Sequence, residues 1–222
     1  MMIKILKILV PILVVLALTL TGIRLLLTPI FLQIEYRMPG FPEDRYGFTR
    51  DDRLYWAPFA LDYLTNSENI SYLSQLTFED GTKIFNDREL RHMEDVKHLT
   101  QIVLRVYVIT LGMLAFIGVW AWRSGKMAAY KLMLGNGGRA AVVIVFILIV
   151  AIMLAFNAVF TGFHLIFFEG DSWMFAYSDT LIRLFPLRFW QDVFIIEGAL
   201  VLVGGLALWF GFGRKRGRIP SD

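Results

Sequence analysis

Four apolar runs, at 8–27, 102–122, 140–160 and 193–212, alternate with polar segments along this 222-residue chain. Each run is about 20 residues long, enough to cross roughly 30 Å of hydrocarbon as a helix. Each holds at most one formal charge: Arg24, Arg105, none and Glu197 in turn. A helix satisfies its own backbone donors and acceptors in lipid, so helices are the spanning form. The pattern predicts an all-α membrane protein with four transmembrane helices. Lys4 and Lys7 ahead of the first run also fit the opening of a secretory signal peptide. That run continues past Gly22 to Leu27 with no small-residue cleavage site ending it, so it is read as a retained helix. Pro11 sits early in the run, where a missing amide is tolerated.

The basic residues set the expected topology. Arg123, Lys126, Lys131 and Arg139 lie between the second and third runs, Arg214, Lys215, Arg216 and Arg218 lie in the tail, and Lys4 and Lys7 lie at the start. Short basic segments stay on the cytoplasmic side. Both termini and the middle loop are therefore expected in the cytoplasm. A cap at about 28–99 and a second outer loop at about 161–192 are expected outside. The whole chain, 1–222, reads as a single membrane domain with the cap inserted between helices 1 and 2.

Within the cap, 13 acidic and 8 basic side chains accompany several aromatics, the mixture of ordinary globular material. Met38-Pro-Gly-Phe-Pro42 and Glu79-Asp-Gly-Thr82 read as turns. Short helices are expected at 51–66 and 69–76. Asn86 and Glu89 have the spacing of a capping box, opening a helix that can run without a break into the second span. The second outer loop is rich in rings: 12 of the 33 aromatics fall between Phe156 and Phe194. They suit an interfacial belt or the wall of a pocket for acyl chains, and the two readings are compatible. Ser178 or Asp179 can cap a short helix at 180–184, stopped by Pro186.

The absence of cysteine excludes disulfides, thiol catalysis and thiolate metal sites. Net charge is only +3, and its basic residues sit at membrane edges, which reports topology and not nucleic-acid binding. Titratable chemistry at neutral pH then rests on three histidines. His92 shares a helical stripe with Val96, Leu99 and Val103 that runs into the second span. His98 lies about 120° around the same helix and does not share that face. On the third span Asn157, Thr161, His164 and Phe168 form a polar stripe through its outer end. Such groups are costly in lipid unless they face a partner or a cavity. Bridging to neighbouring helices and interfacial anchoring account for the stripe as well as a catalytic role does. A metal site needs three or four converging ligands, and no HExxH or comparable motif is present. Ser172 and Ser178 lie near His164 in sequence, but no GxSxG elbow accompanies them. Arg24, Arg105 and Glu197 are expected to pair with each other, with lipid headgroups or with the cap.

The run from Phe78 to Lys97, FEDGTKIFNDRELRHMEDVK, resembles the cap-to-helix motif of the lipoprotein intramolecular transacylase family. Phe163-His-Leu-Ile-Phe-Phe168 is similar to that family's second histidine motif. Trp173-Met-Phe, the stretch from Asp179 to Pro186, and Phe189-Trp190 follow as in the family. Thr180 departs from it, since proline commonly follows the aspartate there, a difference that bears on the local loop. The resemblance covers essentially the whole chain. It implies that His92 and His164 are the catalytic pair at the cap–membrane interface. It also implies the reaction: the sn-2 acyl chain of a diacylglyceryl-modified lipoprotein moves to the α-amine of the lipidated N-terminal cysteine, leaving a lyso form.

The residues suit that chemistry. An α-amino group titrates near ~8 and an imidazole near ~6.5, so histidine can move the required protons at neutral pH. Donor and acceptor belong to one substrate, so no acyl-enzyme is needed, and effective molarity is worth roughly 7–11 kcal/mol. Asp95 or Glu89 is expected to orient His92, and Asn157, Tyr177 and Asp179 to supply polar groups to the pocket. The expected partners are a diacylated lipoprotein and the bilayer of a bacterial cell membrane, with no cofactor and no metal. Two other classes remain open: a non-catalytic membrane protein whose cap binds lipid or a lipoprotein, and a metal-dependent membrane hydrolase.

Overall fold

The computed structural model describes residues 2–213. The basic tail with Arg214, Lys215, Arg216 and Arg218 lies outside the described residues. Eight helices follow in order: α1 (Met2–Leu26), α2 (Pro29–Glu35), α3 (Arg50–Thr65), α4 (Ser71–Ser74), α5 (Asp87–Arg123), α6 (Met127–Phe167), α7 (Thr180–Leu184) and α8 (Leu187–Phe212). Among the described residues the only β element is an isolated antiparallel bridge between Thr77 and Lys83. α1, α5, α6 and α8 are long and apolar enough to cross a membrane. Only 6% of the most apolar stretch of α6 is buried. An outward face this apolar suits lipid, since soluble monomers rarely expose large contiguous apolar patches.

The chain divides into two compact units. Of the described residues, the first comprises 2–23, 105–150 and 196–213. Val10, Leu13, Val14, Ile117 and Met133 form one of its clusters, and Ala141, Val145 and Val201 another. Glycine allows α6 and α8 to touch. A Cβ at Gly138 would sit 2.5 Å from the Gly205 carbonyl oxygen, and one at Gly205 would sit 2.9 Å from that of Gly138. Packing of this kind holds spanning helices together where lipid removes the hydrophobic drive. It also explains why helix continues through the glycine-rich stretch before the expected third run. Glu197 does not form the expected ion pair: its carboxyl lies against Gly22, and neither oxygen has a hydrogen-bond partner. Arg24 instead donates to the Leu27 carbonyl at 3.3 Å.

The second unit comprises Arg24–Leu104 and Ala151–Ile195. Thr28 caps α2 and Pro29 occupies its first turn, a start signal the hydropathy pattern overlooks. Thr49 and Asp52 close a capping box at the start of α3. The expected helix at 69–76 shrinks to the single turn of α4, because Thr77 extends to pair with Lys83 around the turn at Gly81 (φ 83°). At the head of α5 the amides of Arg88 and Glu89 donate to Asn86 Oδ1 at 3.0 and 3.1 Å, and Glu89 Oε2 accepts from the Asn86 amide at 2.8 Å. α6 leaves helical geometry at Ala155 (φ −148°, ψ 48°) before resuming towards Phe167.

Polar side chains tie the segment between α1 and α5 to α7. Arg53 donates to the carbonyls of Arg183 and Pro42 at 2.9 and 2.6 Å. Arg183 pairs with Asp44 at 3.0 Å and stacks over Phe48 at 3.6 Å. Tyr36 donates its hydroxyl to the Leu184 carbonyl at 3.0 Å. Glu35 is fully buried and no group meets hydrogen-bond geometry at either of its oxygens. Burial, and then the neighbouring Asp192 carboxyl, push Glu35 up to about 7.

Candidate active site

His92 and His164 meet inside the second unit. Their ring centroids are 6.1 Å apart and the rings are nearly parallel, at 22°. Two local arrangements make this possible. The capping box at Asn86 starts α5 early, so His92 lies on helix before the apolar run begins. α6 resumes after Ala155 and carries His164 one turn before its end at Phe167. Rings close the surroundings. Phe168 lies 5.0 Å from His92 and 5.5 Å from His164, Phe175 lies 5.3 Å from His92, and Phe160 and Trp173 lie 4.3 and 4.7 Å from His164.

The two imidazoles differ in their bonding. His164 Nδ1 is 2.8 Å from the Phe160 carbonyl oxygen. A carbonyl can only accept, so Nδ1 carries the proton and Nε2 of the neutral ring keeps its lone pair. His92 Nδ1 is buried without a partner, as is the indole nitrogen of Trp173. Both histidines lie outside the apolar runs at 102–122 and 140–160. Burial lowers His92 to about 4, and the neighbouring His164 adds to the shift. Burial also lowers His164, while its bond to the Phe160 carbonyl works in the opposite direction. Each ring is therefore held neutral at physiological pH, as a proton acceptor or hydrogen-bond donor requires.

The polar groups expected around the pair are arranged otherwise. Glu89 does not orient His92. Its carboxyl is 1% exposed and accepts the amides of Asn86 and Leu181, the latter at 2.6 Å. Burial raises Glu89 to about 7 despite those amide bonds. Asp95 does not hold the His92 ring either; it is exposed and accepts from Ser172 Oγ at 3.4 Å. A carboxylate one turn from a histidine found nearer donors in each case. Tyr177 is 79% exposed, which removes it from a pocket wall. Asn157 is exposed too, since the elements that cover His164 do not reach that far down the same stripe. Asp179 caps α7 by position only; it accepts from Asn86 Nδ2 at 3.1 Å and from the Ala176 amide at 2.9 Å. It braces the loop against the start of α5.

Sequence reasoning did not single out Glu35, and it named Trp173 only within a stretch shared with the family, without a role. An acidic residue at the end of a short amphipathic helix, and one ring among many aromatics, carry no distinguishing local signal. Beside Phe168 a cleft of about 330 Å³ opens, lined by Leu99, Ile102 and Phe167 with Asp95, His98 and Glu169. Its size is at the lower end for small-molecule sites, roughly 300–1,000 Å³. No group of three or more metal-ligating side chains occurs among the described residues.

Comparison with known proteins adds to this geometry. A protein of Aquifex aeolicus (strain VF5), described as uncharacterised, is 31% identical over 181 residues, which is 81% of this chain and 80% of that protein. A structure of the membrane integral lipoprotein intramolecular transacylase Lit from Bacillus cereus superposes with a TM-score of 0.72 at 15% identity, covering 95% of this chain and 94% of that one. A second structure of that protein, with a histidine replaced by alanine, gives 0.71 at 16% identity over 95% and 92%. At these identities the likeness establishes a shared fold, and with four apolar helices it describes a multi-pass membrane protein. A family model described as lipoprotein intramolecular transacylase Lit matches residues 5–190. The chain therefore belongs to the lipoprotein intramolecular transacylase Lit family.

Proposed function

We propose that this protein moves the sn-2 acyl chain of a diacylglyceryl-modified bacterial lipoprotein to the α-amine of its N-terminal cysteine, with His92 and His164 as the acid–base pair. The observation that carries this reading is the stacked pair itself: two imidazoles far apart in sequence, 6.1 Å apart in space and walled by aromatic rings. One reacting group can touch both.

In the proposed step the amine nitrogen attacks the ester carbonyl carbon and gives a proton to His164 Nε2. The carbon–nitrogen bond forms, and the carbon–oxygen bond to the glyceryl moiety breaks. The His164 imidazolium returns the proton to the departing oxygen, which His92 supports through its N–H. The Phe160 carbonyl favours this direction by holding the His164 tautomer. Acyl chains fit the apolar side of the cleft at Leu99, Ile102 and Phe168. The positive-inside pattern supports cytoplasmic termini, spans near 8–27, 102–122, 140–160 and 193–212, and a site on the outer face of the cell membrane.

Tandem mass spectrometry of a diacyl lipopeptide incubated with the protein in liposomes tests the reading. One acyl group should shift from oxygen to nitrogen at unchanged total mass, and His92→Ala and His164→Ala should each abolish the shift. Wild-type turnover by either variant removes that residue from the mechanism. Once the protonation of the substrate amine near ~8 is divided out, the remaining rate should hold up below the usual histidine range as pH falls, because His164 in the fold resists protonation. A rate that, corrected in this way for the amine, already halves above pH ~6.5, the ordinary imidazole value, contradicts a buried neutral base.

A further inference from the structure

Among the described residues, the buried side-chain atoms without a partner are carboxyl oxygens of Glu35 and Glu197, His92 Nδ1 and Trp173 Nε1. The first four can accept, and His92 can change tautomer. Trp173 cannot, because an indole nitrogen only donates. A buried donor without an acceptor costs free energy, and native structures rarely tolerate one without a use.

The chain holds this donor beside the histidines. The Trp173 ring lies 4.7 Å from His164 and tilted 33° to it. Its two neighbours in sequence are both tied to α5. Ser172 donates to Asp95 at 3.4 Å, and the Met174 carbonyl accepts from Arg88 at 3.0 Å. The Met174 amide closes a turn onto the Asp171 carbonyl at 3.0 Å. Trp173 is thus clamped from both sides against one ring of the pair.

We propose that the Trp173 indole N–H is a further catalytic group of this site and donates to the substrate's carbonyl oxygen as that oxygen becomes negative. This rests on the acyl-transfer reading above. When the amine nitrogen bonds to the carbonyl carbon, the C=O π pair moves onto oxygen. When the carbon–oxygen bond to the glyceryl group breaks, that pair returns. The indole keeps its proton throughout and stabilises the charge between these two events. A carbonyl reaches the N–H only by parting the surrounding rings, so the bond forms with the bound substrate. A donor fixed in advance, in a water-poor site, is the arrangement that favours an oxyanion most.

The test uses the full-length protein in liposomes, a diacyl lipopeptide substrate and two unreactive analogues. One is a phosphonate bearing an anionic oxygen in place of the carbonyl, and the other is an ether lacking that oxygen. Trp173→Phe should lower kcat by roughly 10²-fold, leave KM within about twofold, and leave the shape of the pH profile unaltered. The phosphonate should lose affinity by a comparable factor in the variant, roughly 10²-fold, while the ether binds as to wild type. In the wild-type protein, phosphonate should move the Trp173 ¹⁵N–¹H indole resonance downfield and the ether should not. Unchanged kcat, equal losses for both analogues, or an indole resonance blind to the phosphonate each overturn the assignment. If His164→Ala is inactive while Trp173→Phe is normal, this inference fails alone. If the wild-type protein shifts no acyl group from oxygen to nitrogen, the acyl-transfer reading fails, and the indole resonance still answers whether Trp173 meets an oxyanion.

Discussion

Each of the two compact units is held together internally, and by different means. In the unit built from the ends of α1, α5, α6 and α8, helices approach through glycine and aliphatic side chains, as where Gly138 meets Gly205. Side-chain hydrogen bonds between its helices are sparse, Thr21 to Tyr107 and Tyr130 to the Leu114 carbonyl being examples. In the unit that contains the histidines, charged and polar side chains reach across long stretches of sequence: Arg53 and Tyr36 to α7, Glu89 to Leu181, and Lys97 to Asn66. The contrast follows from the surroundings. A lipid-facing helix gains little from apolar burial, so close backbone contact does the work. A polar segment with a small core needs specific bonds to hold two imidazoles at a set distance.

Variants can sharpen or break that contrast. The largest effect is expected at the stacked pair. His92→Ala and His164→Ala should each reduce acyl transfer by roughly 10²–10⁴-fold, with unfolding temperatures near that of wild type. Glu197→Gln, also a buried ionisable group but in a span, should leave turnover close to wild type when the same transfer is measured. If Glu197→Gln is as inactive as the histidine variants, function is not confined to the polar unit.

Next comes Arg183→Ala, which strands Asp44 and removes the stack on Phe48. Breaking a mostly buried pair of this kind costs about 3 kcal/mol, and thermal unfolding in detergent measures it. Gly138→Ala should cost about 2 kcal/mol by overpacking α6 against α8. In the same assay, a neutral result would mean the glycine contact is not what holds the spans.

The smallest effect concerns Glu35. Its pKa in the fold is raised, so the fold favours the protonated acid. The stability this contributes is present below the ordinary carboxyl range and lost as pH rises towards about 7. Wild type should therefore unfold at a lower temperature at pH 8 than at pH 5, and Glu35→Gln should reduce that difference by on the order of 1 kcal/mol, the raised Glu89 keeping the remainder. An equal slope in both proteins would mean that Glu35 ionises in the fold without penalty.

Local features of the chain were legible in advance. The capping box at Asn86 and Glu89, the short helix halted before Pro186 and the turn at Gly81 all depend on residues within a few positions of each other. The four apolar runs were equally readable, because a span needs only length and hydropathy. The orienting roles expected of Glu89 and Asp95 were misjudged for a related reason. Helical spacing says which side chains are neighbours, but not that a carboxyl will prefer an amide from α7 or a serine hydroxyl from the loop.

What the amino-acid order determined by itself is the four spanning helices, most of the short ones, and the local caps and turns that start or stop several of them. Tertiary structure decided that His92 and His164 stack while His98 lines a cleft, that Glu35 faces Asp192, and that Trp173 is pinned against His164 with its donor unused. Each of these depends on segments remote in sequence reaching one place. That proximity is the summed result of packing and long-range hydrogen bonds, which no short window of residues encodes.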